Sequence, residues 1–405
     1  MKVRAQVAPL AVMALAVLLV STGCGGSGCP TQTSGSSGGS TGTGGGTTIT
    51  STCGTSGGTT PTTSVLLYYV DGSGAVQGAS LSTSGTFAAL SGYTPPAVTV
   101  GADTRDMVIA DKQFLYFPQG SSSVVQGYSI NHTTGALTLI PGSPFPTTTP
   151  GDTIIADHMG RFLFISNSTS DLVSAFQIDA TTGKLTQSPG SPFAAFNVVS
   201  GYNLSVDGAS KYLYVSQGDA SLPTAGFSFD QSSGALTPIP GSPFSIGVAG
   251  VRAESTGAYL VGASGNPSDD NLYVFALESG TGVPSPVSSS PFPTTYAPYN
   301  IAVSPVAAFV YNFGTDSSSV LQVPEGFSLD LTAGTLAELS DSPFTSLPPV
   351  YLCHFEQTGS EMFCVDGSGA AFDVFSTNSS TGALTSTVLA LPVSLAFNAP
   401  FAVTD

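Results

Sequence analysis

Thr181–Phe193 reads TTGKLTQSPGSPF, with one charge, two prolines and neither histidine nor cysteine. Near-copies stand at Thr133–Phe145 (TTGALTLIPGSPF), Ser232–Phe244 (SSGALTPIPGSPF) and Thr332–Phe344 (TAGTLAELSDSPF). The glycine of the phrase recurs as Gly85, Gly135, Gly183, Gly234, Gly282, Gly334 and Gly382, in steps of 50, 48, 51, 48, 52 and 48 residues. Such a period means an array, in which each repeat is one supersecondary unit that buries its apolar faces against its neighbours.

One repeat gives the unit. YNLSVD (Tyr202–Asp207) reads as an inner strand, KYLYVS as a second, AGFSFD as a third and ALTPI as an outer one, with GAS and QSSG as turns. Four short strands make a propeller blade. The second strands align as LLYYV, FLYFP, FLFIS, YLYVS, YLVGA, FVYNF and MFCVD. They are apolar at consecutive positions, as strands buried on both faces must be. The first repeat opens at SVLLYYV without an inner strand, and the last is followed by LAFNAPFAVTD, which resembles the inner strand TYAPYNIAVSP. The expected fold is therefore all-β: a propeller of seven four-stranded antiparallel blades over residues 64–405. Residues 400–405 supply the inner strand of the first blade and close the ring.

Ahead of the array, Lys2 and Arg4 precede the apolar run APLAVMALAVLLV, which ends in Ser21-Thr22-Gly23-Cys24. This reads as a signal peptide over 1–23. STGC resembles a bacterial lipobox with Ser21 in place of the usual aliphatic residue, so Cys24 is the expected lipidation site; the alternative is ordinary cleavage near Gly23. Residues 24–63, almost pure Gly, Ser and Thr, read as a flexible tether. The expected location is extracytoplasmic, lipid-anchored to the cell envelope or secreted. Five cysteines suit an oxidising compartment. Cys353 and Cys364 are symmetric about Thr358-Gly359, so a hairpin turning there sets them opposite each other within disulfide reach; the alternative is a pair of reduced core thiols. Cys29 and Cys53 are left to pair or not inside the tether.

With 25 acidic residues against 8 Lys and Arg, the chain carries a formal charge of −17. Phosphate backbones repel such a surface, which sets nucleic acid aside as a partner. Past the tether the sequence has no GxSxG, no HExxH and no phosphate-cradling glycine loop. No cofactor and no metal is expected, and the molecule is expected to be a monomer. VDGSGA occurs at Val70–Ala75 and again at Val365–Ala370, and Asp171, Asp219, Asp269, Asp270 and Asp316 fall in equivalent loops. These carboxylates ring one mouth, and hard cations take oxygen ligands; scattered over several blades, they read better as solvated turns.

The unit SVDGASKYLYVSQ…AGFSFDQSSGALTPIPGSPF resembles the lactonase or 6-phosphogluconolactonase-like seven-bladed propellers, close to YVTN-type surface propellers. The resemblance spans residues 64–405. It implies an active site at one mouth of the central channel, with His, Arg and Glu around an anionic lactone. Only three histidines occur, and past the signal only Arg105, Arg161 and Arg252. His132, His158 and Arg161 fall in turns away from the channel. Arg252 and His354 align on inner strands, level with Ser205 and Ala302, and Arg105 leads into the second blade near its mouth. These three are the candidate site residues, although an inner-strand polar residue has a structural reading too, as a hydrogen-bonded tie between blades. Glu254 falls at a strand end, toward the opposite face, so the sequence places no acid beside them. The preferred expectation is an anchored propeller that binds or scaffolds a small molecule, a carbohydrate or an envelope protein. The alternative is a secreted lactonase working at the central channel.

Overall fold

FLYFP (Phe114–Pro118) is buried at every position, and the alternation of side chains along a strand explains how. Leu115 and Phe117 pack on one face with Leu66, Tyr68, Met107 and Tyr128 of the first and second blades. Phe114 and Tyr116 pack on the other with Ile154, Leu163 and Ile165 of the third. Period-two alternation therefore sends successive side chains into two different blade interfaces. The computed structural model describes residues 65–404 except 82–86, 102, 121, 168–169, 196–202, 369–370, 390–394 and 396–399; the signal, the tether, Cys24, Cys29 and Cys53 lie outside the described residues. The core comprises seven apolar clusters, one for each pair of adjacent blades.

Seven antiparallel sheets form the ring. The inner strands of blades two to seven are Val108–Ala110, Thr153–Ala156, Asn203–Val206, Gly250–Ala253, Ala297–Val303 and Val350–Phe355. The inner strand of the first blade is Phe401–Val403, which pairs antiparallel with Leu67–Tyr69. Thr404 extends the seam: its amide donates to the Leu66 carbonyl at 2.8 Å, and its Oγ1 accepts the Leu66 N–H at 2.8 Å. The C-terminal strand thus closes the ring, as the missing first strand of the array implies.

The recurring phrase locks one blade to the next. Asp179 accepts the N–H groups of Thr181 and Thr182 at 3.0 and 2.8 Å, forming the turn. Gly183 then takes φ +69°, where a Cβ would lie 2.4 Å from the Phe114 ring of the preceding blade. Its carbonyl accepts the Tyr116 hydroxyl at 2.5 Å. The same tie joins Tyr68 to Gly135, Tyr214 to Gly282 and Tyr311 to Gly382. Glycine is required there both by backbone sign and by the closeness of the neighbouring blade. The SPF end does more than lead across. Ser143 and Ser191 accept the N–H of Gly127 and Ala175 on their own third strands, each at 2.9 Å. The following Phe-Pro or Phe-Ala pair adds a two-residue strand to blades two, three and five, which are five-stranded.

Cys353 and Cys364 face each other in the register of the seventh blade. They are joined by a disulfide with S–S 2.01 Å and Cα–Cα 4.1 Å. The hairpin turns at Gly359, φ +70°.

Candidate active site in the central channel

The first turn of a blade is built on a buried acceptor at the end of the inner strand. Asp207 accepts the N–H of Lys211 at 2.6 Å and of Tyr212 at 2.5 Å. Glu254 does the same for Ala258 and Tyr259 at 2.5 and 3.1 Å, and Glu356 for Ser360 and Glu361 at 2.5 and 3.0 Å. Glu254 is therefore committed to its turn. Two residues ahead of these caps stand Ser205, Arg252 and His354, opposite Tyr214, Val261 and Phe363 of the second strands. Arg252 and His354 thus share one level of the ring.

At that level Ser205 fulfils the structural role of an inner-strand polar residue: its Oγ accepts the Ala253 N–H of the next blade at 2.9 Å. Arg252 and His354 do not. Among the described residues the Arg252 guanidinium makes one hydrogen bond, from Nη1 to the Val251 carbonyl at 3.1 Å. Among the described residues the His354 ring has no hydrogen bond; it meets Phe401 edge to face, ring centroids 4.6 Å apart. Both side chains keep partial contact with solvent, as groups lining a channel do.

The third member is Asp106, which sequence reading missed. Among the described residues its one hydrogen bond is local, from the Met107 N–H at 2.8 Å. Burial pushes its carboxyl up to about 7, against the opposing pull of the Arg252 guanidinium. Arg252 is itself lowered by burial and raised in turn by Asp106. Burial and then the Arg252 charge push His354 down to about 4, so its imidazole is neutral at neutral pH. Arg252 thus acts electrostatically on an acid from blade two and a histidine from blade seven. No direct ion pair closes the space between Asp106 and Arg252 among the described residues.

Arg105, singled out in the sequence, is not brought into this cluster. Its side chain is about half exposed and pairs with buried Asp152 of the third blade, Nε to Oδ2 3.6 Å. Arg105 stands at the mouth instead, where its charge acts on the Tyr351 hydroxyl of the seventh blade, while Asp106 lies deeper, under the influence of Arg252. The other histidines and Arg161 stand elsewhere. His132 and His158 are exposed; His158 Nε2 lies 3.3 Å from the Val206 carbonyl, and Arg161 pairs with Asp157 at 2.8 Å. Among the described residues no group of three His, Cys, Asp or Glu is disposed to hold a metal. The turn carboxylates are engaged locally: Asp71 accepts from Ser73, Ala75 and Gln77, and Asp316 from Ser318, Val320 and Gln322.

Above the cluster, at the mouth where the inner strands begin, lies a cavity of about 410 Å³ between blades five, six and seven. Tyr299 and Tyr351 line it, from the same inner strands that carry Ala302 and His354.

Residues 72–200 match the family model "Lactonase, 7-bladed beta-propeller". No curated protein matches the sequence. Among solved structures, a candidate 6-phosphogluconolactonase from Bacteroides uniformis superposes with TM-score 0.66 at 13% identity, over 84% of this chain and 99% of that one. One from Bacteroides fragilis gives TM-score 0.63 at 14% identity, over 85% and 99%. The periplasmic gluconolactonase of Pseudomonas aeruginosa gives TM-score 0.57 at 13% identity, over 82% and 96%. At these identities the likeness is one of fold, and it runs the length of the ring. The chain is a seven-bladed β-propeller similar in fold to these lactonases.

Proposed function

We propose that the protein hydrolyses a lactone, a cyclic ester of an unphosphorylated sugar acid, in its central channel. The supporting observation is the set Asp106, Arg252 and His354: three ionisable side chains from three blades, with hydrogen-bonding capacity unspent on the fold. A carboxylate whose pKa lies near 7 is suited to general base work at neutral pH. In this reading Asp106 takes a proton from water, and the hydroxide oxygen bonds to the lactone carbonyl carbon. Arg252 meets the developing oxyanion, where a fixed cation in a site of low polarity is most effective. The tetrahedral intermediate collapses with cleavage of the ring C–O bond. The departing alkoxide takes the proton back from Asp106, leaving an open hydroxy acid. Neutral His354 offers a nitrogen to the attacking water. We prefer this reading to a non-catalytic scaffold, whose support in the sequence included a shortage of ionisable channel residues and the lack of an acid beside Arg252.

The same charges argue against phosphorylated substrates. A phosphate dianion wants several fixed donors, whereas among the described residues the level of His354 offers one arginine, Arg252, and Arg105 at the mouth is paired with Asp152. The purified protein is expected to open D-glucono-δ-lactone well above the spontaneous rate and to favour it over its 6-phosphate. Arg252→Ala and His354→Ala are each expected to lower kcat/KM by about 10²-fold or more. Turnover equal in both variants, or a clear preference for the phosphorylated lactone, would overturn the assignment.

The proposal includes an envelope location, with Cys24 carrying lipid and residues 24–63 acting as the tether. In a lipoprotein-processing host the protein should incorporate labelled fatty acid and Cys24→Ala should not; equal labelling of the two would remove the anchor from the account.

A further inference from the structure

The inner strands of blades six and seven differ from the others in length and regularity. Ala297–Val303 and Val350–Phe355 have 7 and 6 residues, where those of blades two to five have 3 or 4. Each breaks register near its start: between Pro298 and Asn300 in blade six, and between Val350 and Leu352 in blade seven. The residue set out at each break is a tyrosine. Bulges re-aim side chains and gather beside functional sites. Here two of them, in adjacent blades, bring Tyr299 and Tyr351 together with ring centroids 5.7 Å apart and hydroxyls 3.5 Å apart.

The pair is held in place. Asn300 Nδ2 donates to the Tyr351 carbonyl at 3.2 Å, tying the two strands. The run into Tyr299 is fixed by fully buried Glu325, which accepts the N–H of Thr295 at 2.6 Å, the N–H of Tyr296 at 3.2 Å and Asn312 Nδ2 at 2.7 Å. Yet Tyr299 remains 47% exposed, an aromatic face built into the wall of the cavity and turned to solvent. Around the two rings the wall combines apolar Pro298, Leu321 and Val365 with polar Asn266, Thr315 and Asp366, and the charge of Arg105 acts on Tyr351 from the mouth.

We infer that this cavity binds a neutral saccharide, the non-reacting part of the substrate, and so that the natural lactone is a glycosylated one; the second half of this inference rests on the hydrolase reading above. A sugar ring presents C–H faces to the electron-rich faces of tyrosines and hydroxyls to amide, hydroxyl and carboxylate partners. An anion would meet the Asp366 carboxylate in the wall, and the cation that acts on Tyr351, Arg105, already pairs with Asp152; a wholly apolar ligand would leave the wall's polar groups without partners. The volume falls within the range of small-ligand pockets, about 300–1,000 Å³. Its walls share strands with His354 and with the level of Arg252, so a ligand seated there can extend from mouth to channel.

Isothermal titration calorimetry with cellobiose, maltose and lactose, with gluconate as the anionic control, tests this. At least one disaccharide is expected to bind and gluconate to bind more weakly. Tyr299→Ala and Tyr351→Ala should each weaken binding by about tenfold, and Tyr299→Phe by less than about threefold. Tyr299 is an exposed ring, so its loss does not threaten folding. No heat with any of the three sugars, or binding indifferent to both alanine variants, overturns the inference. Saccharide binding without lactone turnover would sink the hydrolase reading and leave a saccharide-binding propeller.

Discussion

Asp106 and His354 are held off their ordinary titration ranges in opposite directions, and the consequences for stability oppose each other. Asp106, near 7 in the folded chain, keeps its proton from about pH 4 to 7, where an unfolded aspartate has lost it. Folding then binds protons, so this residue makes stability fall as pH rises through that window. His354, near 4 when folded, is neutral between about pH 4 and 6.5, where an unfolded histidine is charged. Its share of stability rises with pH and is lost as pH falls through that range. Melting temperature followed from pH 4 to 7 should therefore climb more steeply in Asp106→Asn than in the native protein, and less steeply in His354→Gln. Parallel curves for all three would show that neither group is perturbed by the channel. At this scale the sequence was informative about Arg252 and His354 because the repeat fixes their depth relative to Ser205. It was silent about Asp106. GADTRDM lies ahead of a strand of only three residues, too short to set its phase, and a slip of one residue exchanges the inward and outward sides.

Between blades, the Tyr–Gly ties carry the phrase's function. In the third blade Phe164 occupies the tyrosine's place opposite Ile155, so the ring fits there without its hydroxyl. Tyr116→Phe should cost about 1 kcal/mol, the usual worth of a buried hydrogen bond. Gly183→Ala should cost more, about 2–4 kcal/mol, since it adds a left-handed alanine to a clash with Phe114. Denaturant unfolding compares the two directly; an alanine variant as stable as the native protein would contradict the packing described. The disulfide was legible as well, since the midpoint of Cys353 and Cys364 falls between Thr358 and the turn glycine, Gly359. The serine of SPF was not: its role depends on a partner N–H 16 residues earlier, from Ser143 back to Gly127, and turn composition carries no such distance. The bulges under Tyr299 and Tyr351 were equally hidden, because a register break leaves the apolar pattern of the strand almost unchanged.

For the ring as a whole, closure and site depend on the same strand. Phe401 is fully buried in the cluster between the seventh and first blades, and its ring supports His354. Deleting residues 400–405 should lower the melting temperature sharply and abolish lactone turnover together; a truncated chain as stable as the full one would contradict the closure. The seven-bladed ring itself was readable from the period of the glycines and from the missing first strand. What period and composition do not carry is convergence. Residues 106, 252 and 354 lie on the second, fifth and seventh blades, and only the closed ring sets them around one channel. That convergence is tested most directly by kcat/KM for D-glucono-δ-lactone as a function of pH, corrected for spontaneous opening. The native enzyme should gain activity as pH rises through about 7, the range in which Asp106 loses its proton, and Asp106→Asn should lose that step and about 10²-fold or more of the rate. A native profile without the step, or an asparagine variant that matches the native enzyme, would contradict it.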